Sequence, residues 1–397
     1  MPESPTPPTS SSPSVDSAGS ADSSAPSSHR AKSRVTRRGV IGATGAVALG
    51  AALTPVVFAA GESDESPDPA ADSNTTESTK GMRTEKFPKT RSHKATGTDP
   101  VNAAFPVGYV AVRWAGTARN GASVRVTKAD GSNGEWQAAG GGCAQVNGGG
   151  TALVPASGAE KYEVREERGA SDVTSLAIDT TAGPQRNVKV PSEPTRARGV
   201  RYLSRAAWGA DESLRFKDGK VNSPEVYYDA QCLTVHHTDT PNDDPDPAAT
   251  VRAIYEYHAI TNDWGDIGYH FLIDEAGAIY EGRYSGDDDL PAHDKDGKLV
   301  TAFHTAGFNS GNIGIALIGN LAAQRPTDAA KESLTNLVTM LARIHGLSPQ
   351  AKMTFTNPVN GVTKDVDTVS GHRDWLETDC PGETMYELLG EVRKGTR

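Results

Sequence analysis

Three short stretches, far apart in the chain, each carry a residue of zinc-ligand type. His236 lies in Thr234-Val-His-His-Thr238, His372 in Gly371-His-Arg-Asp-Trp375 and Cys380 in Thr378-Asp-Cys-Pro-Gly382. Two imidazoles and a thiolate suit zinc better than magnesium or calcium. They also leave the fourth tetrahedral position open, as a catalytic rather than a structural site requires. Their convergence would constrain the fold, because the end of an apolar strand must meet a loop near the C-terminus. The eight-residue separation of His372 and Cys380 is too wide for one helical turn, so a loop must bring them together. Each signal alone is weak, since a lone His at a strand end is more often a hydrogen-bonded core residue. His237 points to the opposite face from His236 by strand alternation. Parity alone does not choose between them.

Composition bounds the setting. A chain of 397 residues suggests two folded domains plus tails. Residues 1–38 and 61–100 are rich in Ser, Thr, Pro and charge and read as disordered, because they bury too little to offset chain entropy. The net charge of −10 argues against nucleic acid as a partner. From residue 201 onward there are 30 Asp+Glu against 18 Lys+Arg, an acidity that favours solubility and names no substrate. Arg37-Arg38 precedes an uncharged, Gly/Ala-rich run, Gly39–Ala60, that ends in small residues. This resembles a twin-arginine export signal within an N-terminal extension at 1–60, and implies a secreted protein delivered folded and metal-loaded. A retained membrane anchor is the alternative, and the many Gly and Ala residues make the run a poor one. The cysteine count is odd: if Cys380 binds metal, Cys143 and Cys232 either pair or both stay reduced.

Residues 101–184 show short β-rich runs cut by Gly and Asn: Tyr109–Trp114, Ala122–Thr127, Tyr162–Glu166 and Thr174–Ile178. They suggest a small β-sandwich with a structural or wall-binding accessory role, and the segment holds no His. A linker is expected at 61–100 and a second at 185–200. The last domain, 201–397, interleaves strands and helices. Leu233–His236 reads as a buried strand. Val251, Ile254, Tyr255 and His258 recur as one face of an amphipathic helix, and Tyr269–Ile273 with Ala278–Glu281 reads as a hairpin. Ile313–Ile318 is a further buried strand. Thr327 caps a helix carrying Leu334, Leu337, Val338, Leu341 and Ile344 and ended by Gly346. The fold class is α/β, a mixed sheet flanked by helices.

From about Tyr202 to Glu391 the chain resembles the zinc-dependent N-acetylmuramoyl-L-alanine amidase family, also called the peptidoglycan recognition protein family. The resemblance rests on Arg205-Ala-Ala-Trp-Gly-Ala210, Val235-His-His-Thr238, Trp264-Gly-Asp-Ile-Gly-Tyr-His-Phe-Leu-Ile273 and Tyr280-Glu-Gly-Arg283. It continues through Asn312-Ile-Gly-Ile-Ala-Leu-Ile-Gly-Asn320, Gly371-His-Arg-Asp374 and Thr378-Asp-Cys-Pro-Gly382, in family order. It implies that His236, His372 and Cys380 bind Zn2+. It places Tyr269 beside the zinc-bound water and Thr378 where the oxyanion develops. It implies substrate contacts from His304, Gly307 and Asn309, to which His237 is added as a candidate. The implied reaction cleaves the amide between the lactyl group of N-acetylmuramic acid and L-alanine. Its partners would be the glycan strand and stem peptide of peptidoglycan, and the protein a monomer. Between Arg283 and His304 an acidic insertion, Asp287–Asp289 through Gly297, reads as a solvated loop without calcium-ligand spacing. Two other readings stay open: a non-catalytic receptor on the same fold, and a thiol hydrolase built on Cys380, His372 and Asp374.

Overall fold

The structure is a computed structural model that describes residues 81–128, 130–140, 149–286 and 290–396. The export signal expected at 1–60, the part before residue 81 of the stretches expected to be disordered, Cys143 and Asp287–Asp289 lie outside the described residues.

The first part of the described chain is built from strands. β1 (Met82–Pro88) pairs antiparallel with β8 (Gln185–Pro191). Between them in sequence lie β2 (Arg91–Thr96), β3 (Val101–Gly116), β4 (Ala122–Thr127), β5 (Gln137–Ala139), β6 (Gly149–Glu166) and β7 (Ala170–Asp179). These six form one antiparallel sheet in the order β2-β7-β3-β6-β4-β5. The four expected apolar runs fall inside β3, β4, β6 and β7. Two expectations change. In place of two facing sheets, the described residues show one six-stranded sheet and a ribbon. β3 and β6 are 16 and 18 residues long, and register shifts between Asn102 and Tyr109 let one strand pair continue where several short strands were expected. The described residues of the stretches expected as linkers, 81–100 and 185–200, are also largely paired: β1, β2, β8 and the short hairpin Thr195–Ala197/Val200–Tyr202 occupy them.

The central sheet of the C-terminal part has five strands: β9 (Cys232–His237), β10 (Phe271–Ile273), β11 (Ile279–Glu281), β12 (Asn312–Leu317) and β13 (Val369–Gly371). Their order is β11-β10-β12-β9-β13, with β10–β11 antiparallel and the remaining pairs parallel. The mixed sheet is therefore as expected. α2 (Asp328–His345) and α3 (Glu383–Gly395) pack on one face, burying Leu233, Val235, Ile313 and Ile315 of the sheet against Leu334, Leu337, Leu341 and Leu388. α2 starts at Thr327, whose Oγ1 accepts from Ala330 N at 3.1 Å, and stops at Gly346, whose φ of 63° is left-handed.

α1 (Pro247–Glu256) covers the other face, capped by Asp246 with Pro247 in the first turn. The periodicity of α1 predicts one solvent-facing side, yet every residue from Ala249 to Glu256 is buried. Val251, Ile254 and Tyr255 pack on the central sheet. Ala253 and Tyr257 pack on Ala111, Leu176 and Ile178 of the antiparallel sheet, so one helix serves two sheets. Polar contacts tie the same seam. Thr180 Oγ1 donates to Ala249 O at 2.9 Å, and Tyr257 OH donates to Thr151 Oγ1 at 2.6 Å. Among the described residues no helix is long and apolar enough to cross a membrane.

Candidate metal centre

The alternation of β9 settles the parity question. Leu233 and Val235 enter the core beneath α2 and α3. His237 shares their parity, and its Nδ1 accepts from Leu321 N at 3.1 Å. His236 projects from the opposite face. There it meets His372, which opens a short turn (His372–Asp374) directly after β13. The loop that returns to Cys380 is closed by several bonds. Gly371 N donates to Asp374 Oδ2 at 2.8 Å, Tyr386 OH to Asp374 Oδ1 at 2.6 Å, and Arg373 N to Cys380 O at 2.9 Å.

The ligand atoms of His236, His372 and Cys380 all lie within 4.8 Å of one another, and the three residues are at most 1% exposed. Cys380 Sγ sits 3.6 Å from His236 Nδ1, and accepts from His237 N at 3.4 Å. Neither ring nitrogen of His372 has a hydrogen-bond partner. A buried imidazole left so costs roughly 1–3 kcal/mol, and a cation between the three donors removes that cost. The donor set and the orphaned His372 together fit zinc.

A second imidazole sets the first. His304 Nε2 lies 2.9 Å from Asn312 O, which only accepts, so we assign the proton to Nε2. His304 Nδ1 then accepts from His236 Nε2 at 3.0 Å, which presents His236 Nδ1 as the ligand atom on the Cys380 side. Thr305 Oγ1 shares the same His304 Nδ1 at 2.9 Å. Burial first, and then the neighbouring His236, hold the His304 pKa well below its usual range, which keeps this ring neutral.

The other expected site residues divide. Tyr269 is 4% exposed, with its ring 5.3 Å from that of His236. Thr378 Oγ1 accepts from Cys380 N at 3.3 Å, which leaves its hydroxyl proton for a donor role. His304, expected as a substrate contact, bonds His236 and also lines the pocket beside Tyr269. Asn309 is turned inward: its Oδ1 accepts from His304 N at 3.0 Å and Thr305 N at 2.7 Å, fixing the loop that carries His304. Gly307 supplies the left-handed turn of that loop at φ 83°, and its carbonyl accepts from Asn357 Nδ2 at 2.8 Å. The structure does not bring the His237 ring to the substrate side. The thiol-hydrolase arrangement fails too, because both Asp374 oxygens are taken and neither bonds His372.

Three contributors were missed in the sequence. His258 Nδ1 accepts from Gly268 N at 3.0 Å and so anchors the segment before Tyr269, with its ring 5.4 Å from the tyrosine ring. In the sequence His258 reads as one more residue on a helix face. Buried His270, its pKa pushed down to about 3 by burial, accepts from Gly314 N at 2.8 Å and ties that segment to β12. The third is the β6 strand, whose Ala152 and Leu153 line the pocket beside Tyr269. No local pattern ties a residue of the antiparallel sheet to a site so far along the chain.

Two imidazoles and a thiolate converge on one side of a mixed α/β sheet, a donor set that could hold one metal ion. Residues 227–383 match the family described as N-acetylmuramoyl-L-alanine amidase. A peptidoglycan recognition protein of Trichoplusia ni is 30% identical over 167 residues, covering 41% of this chain and 74% of that protein. An N-acetylmuramoyl-L-alanine amidase of Homo sapiens is 33% identical over 161 residues, covering 40% of this chain and 23% of the relative. The match spans only 22–25% of the length of the human, pig and mouse amidases. The solved structure of wild-type Drosophila PGRP-LB aligns at 25% identity over 48% of this chain and 92% of that one, with a TM-score of 0.35. The chain belongs to the N-acetylmuramoyl-L-alanine amidase and peptidoglycan recognition protein family.

Proposed function

We propose that this protein is a zinc amidase, which hydrolyses the bond between the lactyl carbonyl of N-acetylmuramic acid and the L-alanine nitrogen of the stem peptide. The observation that carries the reading is the unpartnered, buried His372 facing His236 and Cys380. When bound there, zinc supplies Lewis acidity and draws the pKa of water down to roughly 7. The rest falls to the chain's own groups. Tyr269, at the edge of the pocket, orients the attacking water and hands on its proton. The Thr378 hydroxyl donates to the oxygen that becomes negative; as a neutral group it stabilises that charge less than a lysine would. His304 holds His236 in the ligating tautomer, and Asp374 holds the turn that aims His372. The peptidoglycan glycan strand and stem peptide are the partners, and the protein acts as a monomer. We place it outside the cytoplasm, at the cell wall, through a twin-arginine signal at 1–60. The catalytic domain spans 201–397.

Replacing Cys380 tests this directly. Cys380→Ala should lose bound zinc, measured by elemental analysis of the purified protein, together with all release of stem peptide from muropeptides. Full activity in that variant with zinc stripped would sink the mechanism. Intact zinc binding without hydrolysis in the unmutated protein would indicate the receptor reading.

A further inference from the structure

We propose that the antiparallel sheet roofs the metal site and restricts it to substrates that enter by an end: soluble muropeptides and the termini of glycan strands, rather than the interior of a continuous strand. This rests on the amidase reading above.

The pocket beside Tyr269 and His304 is lined on its far side by Ala152 and Leu153 of β6 and by Gly140, which follows β5. It holds about 30 Å³, room for roughly two waters or one methyl-sized group, and not for a sugar ring. From there the wall continues. A Cβ on Gly140 would collide with the Asn120 carboxamide, so the β3–β4 turn lies against it. The next residue back, Arg119, has its Nη2 3.7 Å from Asp379 Oδ1, beside the ligand Cys380. The β3–β4 end of the sheet thus reaches from the α1 side of the site across to the loop bearing Thr378 and Cys380.

The roof is fixed rather than hinged. Tyr257 and Ala253 are shared core, and Tyr257 OH, Thr180 Oγ1 and Tyr109 OH bond across the seam at 2.6, 2.9 and 2.9 Å. The Arg119–Asp379 pair is exposed on both sides and contributes little energy; its value is that it marks where the edge lands. A strand bound at its interior must leave the site in two directions, and one of them is walled. A fragment or a chain end needs only the other.

The test compares a disaccharide-tetrapeptide monomer with soluble, uncrosslinked glycan strands bearing the same stem. For the unmutated protein, kcat/KM per stem should favour the monomer by about tenfold or more, with strand cleavage starting at the ends. Arg119→Gly, which trims the β3–β4 turn at the Asp379 landing, and the double variant Arg119→Gly/Asn120→Gly should keep activity on the monomer. Both should shrink the preference by about fivefold or more. Arg119 is exposed, so the single variant reads the effect even where the double variant folds poorly. Equal rates on both substrates, or a preference unchanged in the variants, would overturn the roof. If neither substrate is hydrolysed, the amidase reading fails and calorimetric binding decides the roof: tighter binding of the monomer upholds it, and equal affinity overturns it.

Discussion

His372 is the residue whose surroundings most demand a partner, and His304 is the one whose bonds explain why His236 can be a second ligand. The His304 ring is fixed by Asn312 O on one side and meets His236 on the other, at 2.9 and 3.0 Å. His304→Ala should therefore weaken zinc affinity by about 10- to 100-fold in a competition titration against a chelating dye. An unchanged affinity would remove it from the metal site. Tyr269→Phe should leave zinc bound and slow turnover by about 10²-fold, measured as kcat on a monomeric muropeptide. An unchanged kcat would free Tyr269 from the chemistry. The three candidate donors were legible, because His, His and Cys in those stretches are chemically uncommon company. The roles of His304 and Asn309 were not: a sequence shows a polar residue in a loop, and only distances show whether its hydrogen bonds are already spent.

At the scale of elements, what could be read depended on whether the signal was local. α2 carries its whole specification within itself, from the Thr327 cap through the leucine face to Gly346. Thr327→Ala should cost about 1 kcal/mol in urea unfolding, by exposing the first-turn amides. A loss near zero would mean that the Thr327 hydroxyl bond to Glu275 O, at 2.5 Å, has no structural weight either. β9, β12 and the β10–β11 hairpin were equally legible as apolar runs. β1 and β8 were not: they are mostly exposed and poor in apolar residues, and each pairs through its backbone with a partner about a hundred residues away. The burial of both faces of α1 escaped for a related reason. Its second face is small and mixed, Ala253 and Tyr257, and reads as a polar side until a sheet is placed on it.

For the molecule as a whole, the shared core around α1 joins the antiparallel sheet to the body that carries the candidate metal site. Leu176→Ala, cut from that seam, should lower stability by about 2–4 kcal/mol, and the whole described chain should still melt in one calorimetric transition. Two separate transitions would show that the two parts fold independently. The central claim is a zinc-dependent cleavage of one particular amide. The measurement that tests it most directly is mass spectrometry of muropeptides digested by the purified protein, with and without a zinc chelator. The account predicts N-acetylmuramic acid with a free lactyl carboxylate, a stem peptide with a free L-alanine amine, loss of both with chelator and their return on adding zinc. Cleavage at any other bond, or products that persist undiminished in the chelator, would contradict it.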